Sequence, residues 1–288
     1  MELLNIGCGA RYHKDWINID KISYGKDIIQ CDLKKGIPFP DSFFNVVYHS
    51  NLIEHFSKKD AEYLIQECFR VLIPGGIIRI ATPDLEEITN LYLESLKKAR
   101  EGLKEWVENY EWILLEMYDQ TVRNVSGGEM LNYFLKDKIT NKEFILKRCG
   151  VEAKNLIEYG RKILKEKNNN DEVSSKSNYH FLMRVKSKFF SLISKNNLKE
   201  LFIRKILKDD YEALKIGRFR LSGEVHQWMY DNYSLSVLLS KCGFINIIQR
   251  DAFDSYVKNW PDYNLDTEEN GEIYKPDSFY MEAIRPFK

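Results

Sequence analysis

Two histidines stand where a proton acceptor near neutral pH would be useful. His55 lies in SNLIEHF, just past an apolar run, and His226 lies in GEVHQWMYD. Each has a second reading. His55 equally suits capping or packing a helix. Trp228 and Tyr230 beside His226 make either a wall for stacking a sugar or plain packing. Asp84, in ATPDLEE, can reach the same region as an acid or base, or can cap the helix that follows. Asp119, Arg123 and Glu129 bracket SGGEM, a polar cluster beside a Gly-Gly turn. Such a cluster can close over an acceptor, with Arg123 suited to a phosphate or carboxylate, or it can be an exposed helix end. Glu54 and His55 offer two metal ligands, but no second acid lies near them in sequence. No metal is therefore expected.

The other informative stretch is LLNIGCGARYHKDWINID, residues 3 to 20. A glycine turn after a strand brings backbone amides close to a ligand. A dinucleotide site would carry a third glycine where Tyr12 stands, and its acid would lie about 20 residues on. Asp20 is too near for that. Asp20 and Asp32 instead fall at the ends of the second and third apolar runs, where both would face one crevice. One can accept from ribose hydroxyls and the other from an adenine amino group. Cys8, between the two glycines, reads as a small filler.

The elements that must position these residues follow from the hydrophobic pattern. Apolar runs at 3–6, 16–19, 28–30, 46–48 and 77–81 are short and bounded by Gly, Pro, Asp or Ser, as in strands buried on both faces. Between them Ala61, Leu64, Ile65, Cys68 and Leu72 give residues 59–72 a helical rhythm, which Pro74-Gly75-Gly76 should stop and turn. Residues 93–119 and 128–167 read as amphipathic helices. Strand grammar returns after a helix at 234–241, with strands at 245–249 and 279–284. The expected fold is α/β, a Rossmann-like open and mostly parallel seven-stranded sheet with a helical insertion. Its divisions would be 1–92 with 222–288 for the sheet domain, and 93–221 for an acceptor or lid domain of roughly 130 residues. Gly7 to Trp16 is shorter than a crossover usually needs, so a full first helix cannot fit there.

LLNIGCGA, WINID, QCDL, PFPDSFFNVVYHSNLIEHF and ECFRVLIPGGIIRIATPDL together resemble the class I S-adenosylmethionine-dependent methyltransferases, above all small bacterial members of surface-glycan gene clusters. The resemblance implies S-adenosylmethionine as cofactor. Asn5, Gly7 and Gly9 would hold its methionine part, Asp20 its ribose, and Asp32 with Leu33 its adenine. Ser50 and Asn51 would face the sulfonium. It further implies O-methylation of a sugar or sugar-linked small molecule, with N-methylation of a small amine, or an inactive cofactor-binding partner of a glycan enzyme, as alternatives.

Composition narrows the partners. Forty-three Lys and Arg balance 43 Asp and Glu, so no net field draws the chain to nucleic acid. Five scattered cysteines without a C-x-x-C pair suit reduced thiols and a cytoplasmic protein. Residues 165–177 are polar and read as a loop. Residues 184–208 carry eight basic side chains against Glu200, interleaved with apolar ones. That pattern fits an anionic membrane surface, but it fits equally a seam buried in the insertion, which is the reading adopted.

Overall fold

The computed structural model describes residues 1–23, 25–168, 200 and 202–287. Seven strands form one sheet in the order β3-β2-β1-β4-β5-β7-β6. They are β1 (Leu3–Ile6), β2 (Ile17–Asp20), β3 (Ile28–Gln30), β4 (Phe44–Ser50), β5 (Leu72–Pro83), β6 (Ile245–Arg250) and β7 (Ser278–Ile284). The first five pair in parallel, whereas β7 runs antiparallel to both β5 and β6. The sheet is thus mixed, with its parallel part holding the apolar runs. From β1 the chain steps outward to β2 and β3, then returns to set β4 on the other side of β1. The loops leaving β1 and β4 diverge there, which makes a crevice at the strand carboxyl ends.

One face of the sheet is covered by α1 (Lys58–Val71), whose rhythm was legible, and by a carboxyl-proximal helix, Asn232–Lys241. Ser57 caps α1 by accepting from Asp60 N at 3.2 Å. Ala61, Leu64, Ile65 and Cys68 of α1 pack with Leu4, Ile6, Val47 and Ile80 of the sheet. Pro74-Gly75-Gly76 does not precede the fifth strand but lies inside it. β4 pairs Phe44 with Leu72 and resumes at Val46 with Ile77, so the three residues form a bulge. Gly75, at φ 78°, donates its amide to Arg285 O at 2.9 Å.

The helical segment holds α2 (Leu85–Arg100), α3 (Lys104–Val122), α4 (Gly128–Phe134), α5 (Lys142–Asn168) and α6 (Asp210–Arg220); Asn232–Lys241 is α7. The single helix expected over 93–119 is therefore two, separated by a turn at Gly102, φ 84°. The boundary expected at 92/93 falls within α2. Helices α2 to α5 share a second core of Ile88, Trp112, Ile113, Tyr133, Phe134 and Ile145, to which α6 contributes no buried residue. Gly150 kinks α5 at φ 57°, ψ −139°, and a Cβ there would lie 2.6 Å from Pro276 Cδ, so the kink seats α5 on the segment before β7. Of the loop expected at 165–177, residues 165–168 instead continue α5 and the rest lie outside the described residues, as does the basic stretch 184–208 apart from residues 200 and 202–208. No described helix is long and apolar enough to cross a membrane.

The opposite face of the sheet is covered largely by chain without α-helix, apart from the 3-10 turn Trp260–Tyr263. Val257, Trp260 and Leu265 pack on Leu3, Trp16, Val46 and Tyr48. Arg79 stands at the centre of this layer with no exposed surface. Its Nε donates to Asp266 Oδ2 at 2.9 Å and its NH1 to Glu282 Oε1 at 3.0 Å. NH1 and NH2 also reach the carbonyls of Asp254 and Asp251 at 3.0 and 2.7 Å. Removing the guanidinium would strand two buried carboxylates. Arg79→Met is therefore expected to cost about 3–5 kcal/mol in urea unfolding. A loss under about 1 kcal/mol would show that the network is not what holds this layer.

His49, on the helical side of β4, is fully buried and neither ring nitrogen has a partner. Burial lowers its pKa to about 3 from 6.5. The unfolded chain takes up a proton there as pH falls through 6.5, and the folded chain does not until about 3. This residue's contribution is complete above pH 6.5 and drains away between those values. At pH 5 the loss is about 2 kcal/mol. His49→Leu should shrink the fall in unfolding free energy between pH 8 and pH 5 by that amount. An unchanged fall would mean that His49 titrates normally.

Candidate active site

The turn after β1 is built to approach a ligand closely. Gly7 and Gly9 adopt φ 63° and 56°, conformations that side chains rarely take. A Cβ on Gly7 would lie 2.6 Å from Leu52, which comes from the loop after β4, whereas a Cβ on Gly9 would meet nothing within 4 Å. The first glycine is thus sealed against the neighbouring loop and the second faces open space. Asp20 clasps the turn: Oδ2 accepts from Gly9 N at 2.9 Å and Oδ1 from Ile22 N at 2.8 Å. Cys8 is buried, its thiol pushed up to about 12 by burial and by Asp20, so it acts as filler.

Asn5 serves the loop rather than opening onto the crevice. It is buried and donates to Asn18 Oδ1 at 3.1 Å and to Arg11 O at 3.3 Å. Asn18 donates onward to Trp16 O at 2.7 Å and His13 O at 3.0 Å. Two amides therefore fix a connection that has no helix to fix it. Arg11 anchors its outer edge to Leu265 O at 2.8 Å and Glu268 Oε1 at 2.9 Å. Asp32 caps the short 3-10 turn Leu33–Lys35 by accepting from Lys34 N at 3.2 Å. Leu33 itself packs in the core. Past β4, Ser50 donates to Asn51 Oδ1 at 3.0 Å, and Asn51 turns at φ 47°.

Three residues beyond Leu52, the fold brings two distant histidines together. The rings of His55 and His226 meet edge to face with centroids 4.7 Å apart. The chain at 226–228 is clamped to this loop, because Gln227 N and Trp228 N both donate to Glu54 O, at 2.7 and 3.2 Å. His226 N donates to Gln120 O at 2.9 Å, which ties in the end of α3. His55 keeps 22% of its side chain exposed, while His226 is buried behind it. Burial lowers the pKa of His55 to about 4; burial and the neighbouring His55 also lower that of His226 well below the usual histidine value. Burial thus favours the neutral form of both rings, and His55 Nδ1 is buried without a hydrogen-bond partner.

Sequence reasoning gave Glu54 only a passing role, yet it lies at the centre of this group. It is fully buried and accepts from Thr82 Oγ1 at 3.2 Å, and burial raises its pKa to about 7. Asp277, near the start of β7, also acts on Glu54 and is itself raised by burial to about 6. Glu54 is adjacent to His55 in the chain, so its presence was readable. The approach of Asp277 and Lys275 was not, because it depends on the return of β7.

The remaining candidates are placed elsewhere or tied down. Asp84 caps α2 by accepting from Glu87 N at 3.1 Å, and burial raises its pKa. Asp119 is buried and accepts from Glu129 N and Met130 N at 2.8 and 3.3 Å, holding the start of α4. The Glu129 side chain is exposed. Arg123 donates to Glu224 O at 2.7 Å, two residues before His226, and its field lowers the pKa of both histidines. Tyr230 packs in the sheet core, and Trp228 lies half-exposed under Lys58 Nζ, 3.8 Å from its ring centre.

Residues 8–80 match the family model described as a methyltransferase domain. A protein of Mycolicibacterium smegmatis named "probable S-adenosylmethionine-dependent methyltransferase" is 30% identical over 100 residues, covering 29% of this chain. The matched part is 38% of that relative, so the chain spans well under half of its length. Among solved structures, an S-adenosylmethionine-dependent methyltransferase from Archaeoglobus fulgidus aligns with 99% of this chain and 86% of its own, at 11% identity and TM-score 0.35. One from Mesorhizobium loti aligns with 29% of this chain and 47% of its own, at 19% identity and TM-score 0.23. The stretch from the glycine turn to the fifth strand, which carries Gly9, Asp20, Asp32, Glu54 and His55, is thus the part of this chain that matches the methyltransferase domain family.

Proposed function

We propose that the chain binds S-adenosylmethionine in the crevice between the β1 and β4 loops and directs its methyl group to an oxygen of a sugar or sugar-linked small molecule. The observation that carries this reading is the turn at Gly7 and Gly9, clasped by Asp20 and set three residues from the His55–His226 pair through Leu52. The open space above Gly9 and the spare lone pairs on Asp20 fit an adenosyl ligand with a ribose diol. When bound, that cofactor supplies an electrophilic methyl group. Asp20 and Asp32 would hold its ribose and adenine, with the backbone of Gly7 and Gly9 along its amino-acid part. The acceptor would enter past His55, the exposed member of the pair. The His55 imidazole would take the hydroxyl proton as the acceptor oxygen bonds to the methyl carbon and the methyl–sulfur bond breaks to leave a neutral thioether, with His226 and Glu54 behind it stabilising the charged ring. In-line placement supplies much of the remaining acceleration. Residues 93–221 would form the acceptor or lid side and the sheet the cofactor side of a cytoplasmic enzyme. The sugar acceptor rests on the likeness to surface-glycan methyltransferases.

Asp20→Ala should weaken S-adenosylmethionine binding by ~1.5–3 kcal/mol, the scale of a lost charge-assisted hydrogen bond. Calorimetry on folded wild type and variant measures it. If the wild type binds neither S-adenosylmethionine nor S-adenosylhomocysteine, the reading fails.

His55→Ala and His226→Ala should each leave cofactor affinity nearly unchanged, while at least one cuts turnover about a hundredfold or more. The assay is transfer of labelled methyl to nucleotide-sugar and surface-precursor fractions. Full activity in both variants would exclude a histidine base. A wild type that binds cofactor but methylates no fraction would favour a binding module instead.

A further inference from the structure

Glu54, His55 and His226 each present one ligand atom, and these atoms lie within 4.8 Å of one another. His55 Nε2 is 4.0 Å from Glu54 Oε1. Glu54 Oε1 and His55 Nδ1 are buried and have no hydrogen-bond partner. The other Glu54 oxygen is held by Thr82, so the carboxylate is oriented with one oxygen left over. Buried polar atoms nearly always find partners, and an unpaired carboxylate oxygen facing two imidazoles has an evident one. We propose that these three side chains form a binding site for a divalent transition metal, with zinc the best match to two neutral imidazoles and one carboxylate.

Metal–ligand bonds of about 2.0–2.2 Å would bring the three atoms to about 3–4 Å from one another. The site needs to close by about an ångström, and His55 has the exposed surface to turn inward. The backbone is already clamped, since Gln227 N and Trp228 N hold Glu54 O and His226 N holds Gln120 O. The charges around the site oppose each other. Lys275 and Arg123 repel a cation, but Lys275 Nζ lies 3.3 Å from Glu152 and Arg123 is turned to Glu224 O. Asp277 adds an acidic group whose Oδ1 is likewise unpaired. Three protein ligands leave at least one coordination position open on the side of the crevice. A hydroxyl bound there would lose its proton to solvent near neutral pH, so with metal present the ion would take over the work of the imidazole. Only this last step rests on the proposed methyl transfer; ion binding does not.

The test uses the full chain after treatment with a chelator. Titration with zinc in a calorimeter, and with cobalt followed by its visible absorption bands, should show one ion per chain at micromolar or tighter affinity. Glu54→Gln and His226→Ala should each weaken zinc by about a hundredfold or more, since each removes a ligand. Thermal melting checks that they fold, and His55→Ala, at the partly exposed position, decides if either does not. No saturable binding to the wild type, or equal binding by all variants, would overturn the site. Cofactor titrations run in parallel separate the two readings. S-adenosylmethionine binding without zinc binding removes only the metal site, and the reverse result removes only the methyl-transfer reading.

Discussion

Ten residues, 7–16, separate β1 from β2, and no crossover helix can be made from so few. Much else in the structure follows from that shortage. A helix in this connection would have covered Leu3, Trp16, Val46 and Tyr48. Instead the segment between β6 and β7 lies over them, bringing Val257, Trp260 and Leu265. Chain without helix carries backbone groups that must be satisfied once buried. Arg79 answers that need, because one guanidinium serves the carbonyls of Asp251 and Asp254 and the carboxylates of Asp266 and Glu282 together. Trp260 stacks beside it, with the guanidinium carbon 4.5 Å from the ring centre.

The same shortage shapes the ligand crevice. With no helix after the glycine turn, the loop takes its conformation from Asn5 and Asn18 inside and from Arg11 outside. The turn amides are therefore fixed by side-chain hydrogen bonds and by Asp20. Arg11 joins this loop to residues that also close over the Arg79 layer. The glycine-turn loop and the covering segment are in this way one packed unit.

Most of the sheet was legible because parallel strands write themselves as short apolar runs. β1 and β3 coincide with the runs at 3–6 and 28–30. Pro74-Gly75-Gly76 misled because a turn signal and a bulge use the same residues, and only the pairing of Leu72 with Phe44 tells them apart. The split of 93–119 at Gly102 was obscured by apolar residues on both sides. At the site, Asp20 stood out because it ends a strand close behind a glycine turn. Asp119 stood out too, but a carboxylate beside Gly-Gly reads alike whether it awaits a ligand or caps α4. The meeting of His55 with His226 has no local signature, since the helical segment separates them in the chain.

Two groups of buried charge in this chain obey opposite rules. Around Arg79 the donors and acceptors are matched: Asp266 also takes Tyr48 Oη at 2.6 Å and Trp260 Nε1 at 3.0 Å, and Glu282 takes Tyr256 N at 2.7 Å and Arg250 Nε at 3.2 Å. Such saturation makes a group inert and structural. Around Glu54 the count is deficient, with Glu54 Oε1, His55 Nδ1 and Asp277 Oδ1 all buried and unpaired. A fold able to satisfy the first group so fully is under no general constraint that forces the second. Leaving polar atoms unpaired costs about 1–3 kcal/mol each, and burial raises the Glu54 pKa to about 7 while it lowers those of both histidines. The deficit sits at the carboxyl ends of the strands, beside the glycine turn, where an entering ligand or ion can complete it. Buried unpaired atoms also stand on Trp16 and His49; what sets the Glu54 cluster apart is that three of them, from three side chains, gather beside the glycine turn.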